Sequence, residues 1–549
     1  MDFESPDQTK ALQACVACRK QKRRCDKVLP SCGLCVRMSR PCDYSESNPS
    51  PNADDFAVMR QKIADLEARL EGRRADSGWY EPMRSVSKSP ATNSSSNSGS
   101  GNESSSFVSA AFFLDAEVFS QAKLSIPRPS LTVPTDVMGA LGTSIRDVHD
   151  VVDRYFANIH TWLPFVSKKR MELKLSNPAL DLAADFSLLL LAMKLIIQAP
   201  AGGAHSVRSP LYALTKRYFA LLEYSGFISL HTLQADILIA AYEIGHAIYP
   251  AAYLTTGHCA RLGHALGLND RTRAPQYSWK RASSWAEAEE VKRTWWATML
   301  LDRYVNLGTW GHPLATDDPH RNDVLPADDD MWDEGEVTTS EPLYVSSPTN
   351  VRAAPFARTC QATHLLGRLI RLMNDRLLDS PLRFTEAIHL FRTLQALSKL
   401  LEDDVQRSPM RYVTALALCY GALLHLSDPF SCTDTNRGDH TVEETEMQTL
   451  AISGLKPTAA DILQFSQLLM SSMPTSTAGI SPLICDSLYV AASTYAWLAH
   501  ESGLREMGEA YHALRRSLET INCRWTAAGY YIGLLDKAKE TSYPDNPLL

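Results

Sequence analysis

Residues 14–44 read ACVACRKQKRRCDKVLPSCGLCVRMSRPCDY, and six of them are cysteines: Cys15, Cys18, Cys25, Cys32, Cys35 and Cys42. The intervening residues number two, six, six, two and six, so the segment is two similar halves. Each half sets two thiols one helical turn apart and a third beyond a short loop. That spacing lets soft thiolates converge on a small cation, for which zinc is the default. Six thiolates give two ions four sulfurs each only if two sulfurs bridge. The count therefore implies two Zn²⁺ per chain in one cluster with shared ligands. Other zinc modules need different spacings or histidine ligands, and the first histidine in the chain is His149.

Charge is segregated around this stretch. The 549-residue chain carries a formal −7, with 45 % hydrophobic and 21 % charged residues, which fits neither a disordered chain nor a membrane protein. Between Ala11 and Asp43, eight Lys/Arg face two Asp, a local +6 with thiols neutral. The rest of the chain holds −13, the difference between −7 and +6. Six thiolates and two Zn²⁺ would subtract about two charges, leaving a small cationic knob suited to phosphates. Met1–Lys10 contains Asp2, Glu4 and Asp7 and no apolar run. A secretory signal is not expected there, and reduced thiols are.

The cysteine spacing, the basic run after Cys18 and Pro30 before Cys32 resemble the fungal binuclear zinc cluster transcription regulators. The resemblance implies that Cys15 and Cys32 are the bridging sulfurs. It also implies a nuclear protein whose first short helix enters the major groove of double-stranded DNA, where Lys22 reads a CGG-like triplet. Lysine donates to guanine O6 and N7, so the pairing is chemically sensible. Gln21 stands where relatives often carry Arg or Lys, and is expected to contact the flanking base. Arg19, Lys20, Arg23 and Arg24 are expected on phosphates, because such contacts outnumber base contacts. The alternative is a metabolite-binding or protein-interaction module whose zinc cluster is only structural.

One knob reads too few base pairs for a unique site, so a homodimer is expected. After a spacer over residues 46–55, Phe56, Met59, Ile63, Leu66 and Leu70 fall at alternating intervals of three and four, the seam of a short coiled coil over 56–71. Half of the 22 residues from Ser85 to Ser106 are serine, which marks a disordered linker over 72–106. The resulting plan is mostly α. A disordered stretch (1–10) precedes the cluster module (11–45), and a large all-α regulatory domain occupies 107–549.

Helical periodicity dominates that domain. Ala362, Leu365, Leu366, Leu369, Ile370, Met373 and Leu377 form one apolar stripe, with Arg368, Arg371 and Arg376 off it. A second stripe runs over 387–401. Residues 186–197 are apolar nearly all round and belong at the centre of a bundle, while 188–197 and 414–426 are too short to span a bilayer. Polar loops are expected at 317–347 and 431–448.

Four stretches resemble the regulatory domain that follows the cluster in the same family: 111–119, 155–170, 252–268 and 292–313. In the last of these, Gly311, His312 and Pro313 stand where relatives often have Gly-Arg-Pro. Trp295 and Trp296 are expected in packing, and Asp302 with Arg303 in a local ion pair. His258 and His264 lie six residues apart, on different helix faces, and so do not chelate together. Metalloprotease, P-loop, nucleophile-elbow and dinucleotide signatures are absent, so no enzyme is expected. Residues 317–336 hold nine acidic side chains with Leu325, Met331 and Trp332, the composition of either an activation segment or a surface loop. The family resemblance further suggests an activator working with co-regulators, with secondary metabolism as its pathway.

Overall fold

The apolar run that reads as a central helix is one. Ala184–Ile196 buries Phe186, the four leucines 188–191, Met193, Leu195 and Ile196 together. Our computed structural model describes residues 11, 13–20, 24–38, 40–44, 110, 112–122, 129–142, 144–177, 182–200, 207–269, 282, 284–337, 341–348, 351–375, 380–431, 441–472, 477–544 and 546–549. The chain divides into two compact units, Met1–Ser96 and Asn97–Leu549.

The first unit contains α1 (Val16–Lys20) and α2 (Gly33–Arg37). The second runs through α3 (Ala116–Gln121), α4 (Thr135–Leu141), α5 (Ile145–Asn158), α6 (Lys168–Leu175), α7 (Ala184–Ile196) and α8 (Pro210–Tyr224). It continues through α9 (Leu230–Gly245), α10 (Ala251–Ala265), α11 (Trp285–Val305), α12 (Asp329–Glu334), α13 (Pro355–Asn374) and α14 (Ser380–Arg407). The last helices are α15 (Pro409–Ser431), α16 (Val442–Ser472), α17 (Cys485–Ser502), α18 (Arg505–Asn522) and α19 (Ala527–Ser542). Among the described residues, the one extended pairing is an isolated bridge between Val324 and Tyr344.

Local signals set the helix starts. Ser144 and Asp147 form a reciprocal capping box on α5, and Ser209 with Pro210 opens α8. α9 packs against α7 on one side and α10 on the other. α15 is wrapped by α13, α14 and α16, and α17 joins this group to α18 and α19. α15 is long and apolar enough to cross a bilayer, but 83 % of its apolar window is buried inside the protein, as the core reading requires. The stripe on α13 buries Ala362, Leu365, Leu366, Leu369 and Ile370, with Arg371 exposed; Arg376 and Leu377 lie outside the described residues.

Two polar stretches are more ordered than their composition suggests. The stretch expected as a loop to residue 448 turns helical at Val442. Thr441 Oγ1 accepts the Glu444 N–H at 3.2 Å, and Glu443 and Glu444 complement the positive end of α16. A polar first turn is what a helix start requires, and it hides the boundary. In the acid-rich stretch, Leu325 and Trp332 are 1 % and 0 % exposed and Asp329 is buried, so this segment is built into the helical unit rather than solvated. These anchors fit the surface-loop alternative, with Asp317, Asp328, Asp330, Glu334 and Glu336 exposed.

Asp302 and Arg303 do pair, at 3.0 Å. His258 is held by Asp236 at 2.7 Å, while His264 lies against the Trp295 ring, so they serve separate contacts.

His246, at the end of α9, is buried against Trp525, and its Nδ1 faces Thr526 Oγ1 at 3.2 Å. Burial, then the Arg524 charge, lowers its pKa from 6.5 to about 3. A base whose folded pKa is depressed contributes stability above its ordinary value and loses it as pH falls. The urea midpoint is therefore expected to drop as pH falls from about 7.5 to 5. In His246→Gln that drop should be smaller, and parallel pH profiles would contradict the assignment.

Candidate metal centre and nucleic-acid interface

α1 and α2 are the two halves of the cysteine repeat. Cys15 precedes α1 and Cys18 lies within it; Cys32 caps α2 and Cys35 lies within it. Their sulfurs converge. Cys15 Sγ is 3.8 Å from Cys32 Sγ and 3.7 Å from Cys35 Sγ, and Cys18 Sγ is 3.8 Å from Cys32 Sγ. A disulfide needs about 2 Å, so these are free thiols. A tetrahedral zinc with Zn–S of about 2.3 Å sets its sulfurs about 3.8 Å apart. Donor set and spacing therefore both fit zinc.

The sulfurs of Cys15, Cys18, Cys32 and Cys35 all lie within 4.8 Å of one another, one convergent set that fits a single tetrahedral ion. Cys32 also belongs to a second convergent group with Cys25 and Asp26. Cys42 Sγ accepts the Cys32 N–H at 3.2 Å, and Cys32 Sγ accepts the Cys35 N–H at 3.4 Å. These donors separate the thiols electrostatically. The Cys35 N–H lowers the Cys32 pKa, whereas burial, with hydrogen bonds to Cys15 and Cys32, raises Cys18 to about 12.

Among the described residues of this unit there is almost no core apart from sulfur. Its buried cluster is Cys15, Cys18, Cys32 and Cys35, with Ala17, Leu34 and Tyr44 partly buried against it. So small a hydrophobic cluster cannot offset chain entropy, and the energy that holds such a module together is metal–sulfur bonding.

Two supporting residues carry no signal in the cysteine spacing. Asp26 accepts the Gly33 N–H at 2.9 and 3.2 Å, tying the loop after Cys25 to the start of α2. A Cβ on Gly33 would lie 2.6 Å from Asp26 Oδ2, so this close approach requires glycine. Tyr44 donates to the Val28 carbonyl at 3.0 Å and lies 3.9 Å from Cys25 Sγ. An acid seven residues before a helix-opening glycine is a cue for the first. Tyr44 has none.

α1 ends at Lys20, inside the basic run, and Arg24 beyond it is exposed. The backbones of Arg19 and Lys20 form the last turn of α1. Gln21, Lys22 and Arg23 lie outside the described residues, as do Phe56, Met59, Ile63, Leu66 and Leu70 and the expected spacer and linker.

Residues 13–51 match the fungal Zn(2)-Cys(6) binuclear cluster domain, and residues 152–428 match the fungal specific transcription factor domain. The chain is 40 % identical over 185 residues to transcription factor BOA15 of Botryotinia fuckeliana, a match covering 33 % of this chain and 98 % of that protein. It is 24 % identical over 362 residues to DEP6 of Fusarium langsethiae, a depudecin biosynthesis cluster-specific transcription activator, covering 56 % of this chain and 58 % of the relative. It is 27 % identical over 353 residues to pigB of Monascus ruber, a pigment biosynthesis transcriptional activator, covering 60 % and 59 %. The chain thus spans less than two thirds of the last two. These relatives are transcription factors and not enzymes. With half its length matched to the regulatory domain and its cysteine module matched to the zinc cluster, the chain belongs to the fungal Zn(2)-Cys(6) transcription factor family.

Proposed function

We propose that the chain is a nuclear, sequence-specific activator of RNA polymerase II transcription that binds paired CGG-like triplets as a homodimer and switches on a secondary-metabolite gene cluster. The observation that supports the metal half of this reading is that Cys32 belongs to two convergent groups, one with Cys15, Cys18 and Cys35 and one with Cys25 and Asp26. Six ligands, Cys15, Cys18, Cys25, Cys32, Cys35 and Cys42, then hold two Zn²⁺, which fix α1 and α2 and offset thiolate charge. Arg19, Lys20, Arg23 and Arg24 grip phosphates, and Lys22, with Gln21 beside it, faces the bases. Phe56, Met59, Ile63, Leu66 and Leu70 pair two copies. Three relatives that regulate biosynthesis of depudecin, pigment and citrinin support the pathway.

The full chain should bind a duplex with two CGG triplets and lose it on zinc chelation. Neutralising about four to six phosphates gives a slope of log K against log salt between about −3.5 and −5.5. Chelator-insensitive or salt-insensitive binding overturns the reading. The roles within the basic run separate in a second experiment. Lys22→Ala should cost about 1–3 kcal/mol on the CGG site and flatten triplet preference, while Arg24→Ala should weaken all sequences alike. Equal loss of preference in the two variants contradicts the division of labour.

A further inference from the structure

The acid-rich segment of the regulatory unit is tied at both ends to α11. Upstream, the buried Arg303 donates to the Thr316 and Asp317 carbonyls at 3.3 and 2.9 Å and to Asp318 at 3.1 Å. Downstream, the buried Arg293 donates to the Ala327 carbonyl at 2.8 Å and to Asp329 at 2.7 Å. Glu289 accepts the Ala327 N–H at 2.7 Å. Residues 319–326 bridge these two clamps, anchored by Leu325 in the core and by the Val324–Tyr344 bridge.

Under that bridging segment lies a cavity of about 360 Å³, within the range of small-molecule sites. Trp285, Trp295 and Trp296 line it from α11 with Met299, and Pro319 and Val324 line it from the bridging segment. Collapse would pull the segment away from two buried, charge-assisted anchor points, so the space is held open by the clamps. The wall is also shaped. A Cβ on Gly263 of α10 would lie 2.6 Å from Trp295 Cζ3, so the missing side chain is what lets the indole seat there. Polar groups are few: Glu289 and Lys292, which pair at 2.7 Å, Asp323, which accepts the His320 N–H at 2.7 Å, and Asn269.

Three indoles favour a flat π-system that stacks or meets them edge-on. An ammonium and an amide can donate to ring carbonyls or hydroxyls, and the free edge of Asp323 can accept from a hydroxyl. The geometry points to a binding site for a planar aromatic molecule carrying hydroxyl or carbonyl groups. Occupancy joins the bridging segment to α11 across the space between the two arginines. The site stands independently of DNA reading.

The test uses the full chain and 1-hydroxy-2-acetonaphthone as probe, by titration calorimetry and tryptophan emission. One-to-one binding with quenching is expected. Ala288, on the cavity wall, is the place to fill the space. Ala288→Phe should weaken the naphthone by about tenfold or more while the free chain keeps its melting temperature. If that variant does not fold, Val324→Phe narrows the cavity from the other side and should show the same loss. No binding at millimolar probe, or unchanged affinity in a folded filled variant, overturns the proposal.

Discussion

Cys32→Ser is expected to strip both zinc ions from the chain and abolish measurable DNA binding, whereas Cys18→Ser should retain one ion and part of the affinity. Cys32 Sγ lies 3.8 Å from both Cys15 and Cys18, and it also joins the group with Cys25 and Asp26. Cys18 belongs to the four-sulfur group alone, whereas Cys32 belongs to both groups. Serine is chosen because Cys32 is also the N-cap of α2, accepting the Cys35 N–H. A serine hydroxyl caps as well as any side chain, and an N-cap is worth about 1 kcal/mol. A structural zinc contributes about 10–16 kcal/mol to folding, so loss of the shared ligand outweighs any capping effect by an order of magnitude. Native mass spectrometry reads the metal count directly. Two ions retained in Cys32→Ser would show that its sulfur is not shared, and identical metal loss in both variants would remove the distinction between shared and unshared thiols.

The cysteine module was legible because metal ligation is written in spacing: two residues between paired thiols already imply one helical turn, and α1 and α2 supply it. The all-round apolar run of α7 and the stripe of α13 were legible for a similar reason, since burial on a helix follows a local period. The buried charges were not. Arg293 opens, beside Lys292, the stretch noted for its tryptophans and its family resemblance, with no cue to burial, yet it is 0 % exposed. Its partners include the Pro164 carbonyl and Asp329, 129 and 36 residues away in sequence. No window along the chain contains them together. The same separation hides the packing of the acid-rich segment, whose nine carboxylates suggest solvation until Trp332 is seen beneath Arg293. Asp26 escaped for a smaller reason: its role is to accept two backbone bonds across a turn, and composition does not register a turn's geometry.

That hidden arginine carries the largest stability effect expected in the regulatory unit. Arg293 bonds to Glu289 at 3.1 Å, to Asp329 at 2.7 Å and to the carbonyls of Pro164 and Ala327, with its guanidinium 4.1 Å from the Trp332 ring centre. Arg293→Ala leaves the buried Asp329 without its cation and Glu289 with Lys292 alone, and breaking a buried pair in this way costs about 3–5 kcal/mol. The pH dependence separates this from a simple cavity. In the native chain, burial pushes the Glu289 pKa up but Arg293, then Lys292, pull it below its ordinary 4.5. A depressed carboxyl contributes stability above its ordinary pKa and loses it as pH falls. Without Arg293 the downward pull on Glu289 is weaker, resting on Lys292 and the Ala327 N–H, so the variant loses less stability than the native chain as pH drops. The deficit should therefore be greatest near neutral pH and narrow as pH falls toward about 4.5 and below. Arg293→Met with Asp329→Asn fills the space and removes one orphaned charge, and should recover part of the loss. Urea midpoints of the helical signal in the full chain measure each case. A deficit below about 1 kcal/mol, or one that does not change with pH, would show that this arginine is packing alone and that the acid-rich segment is held by something else.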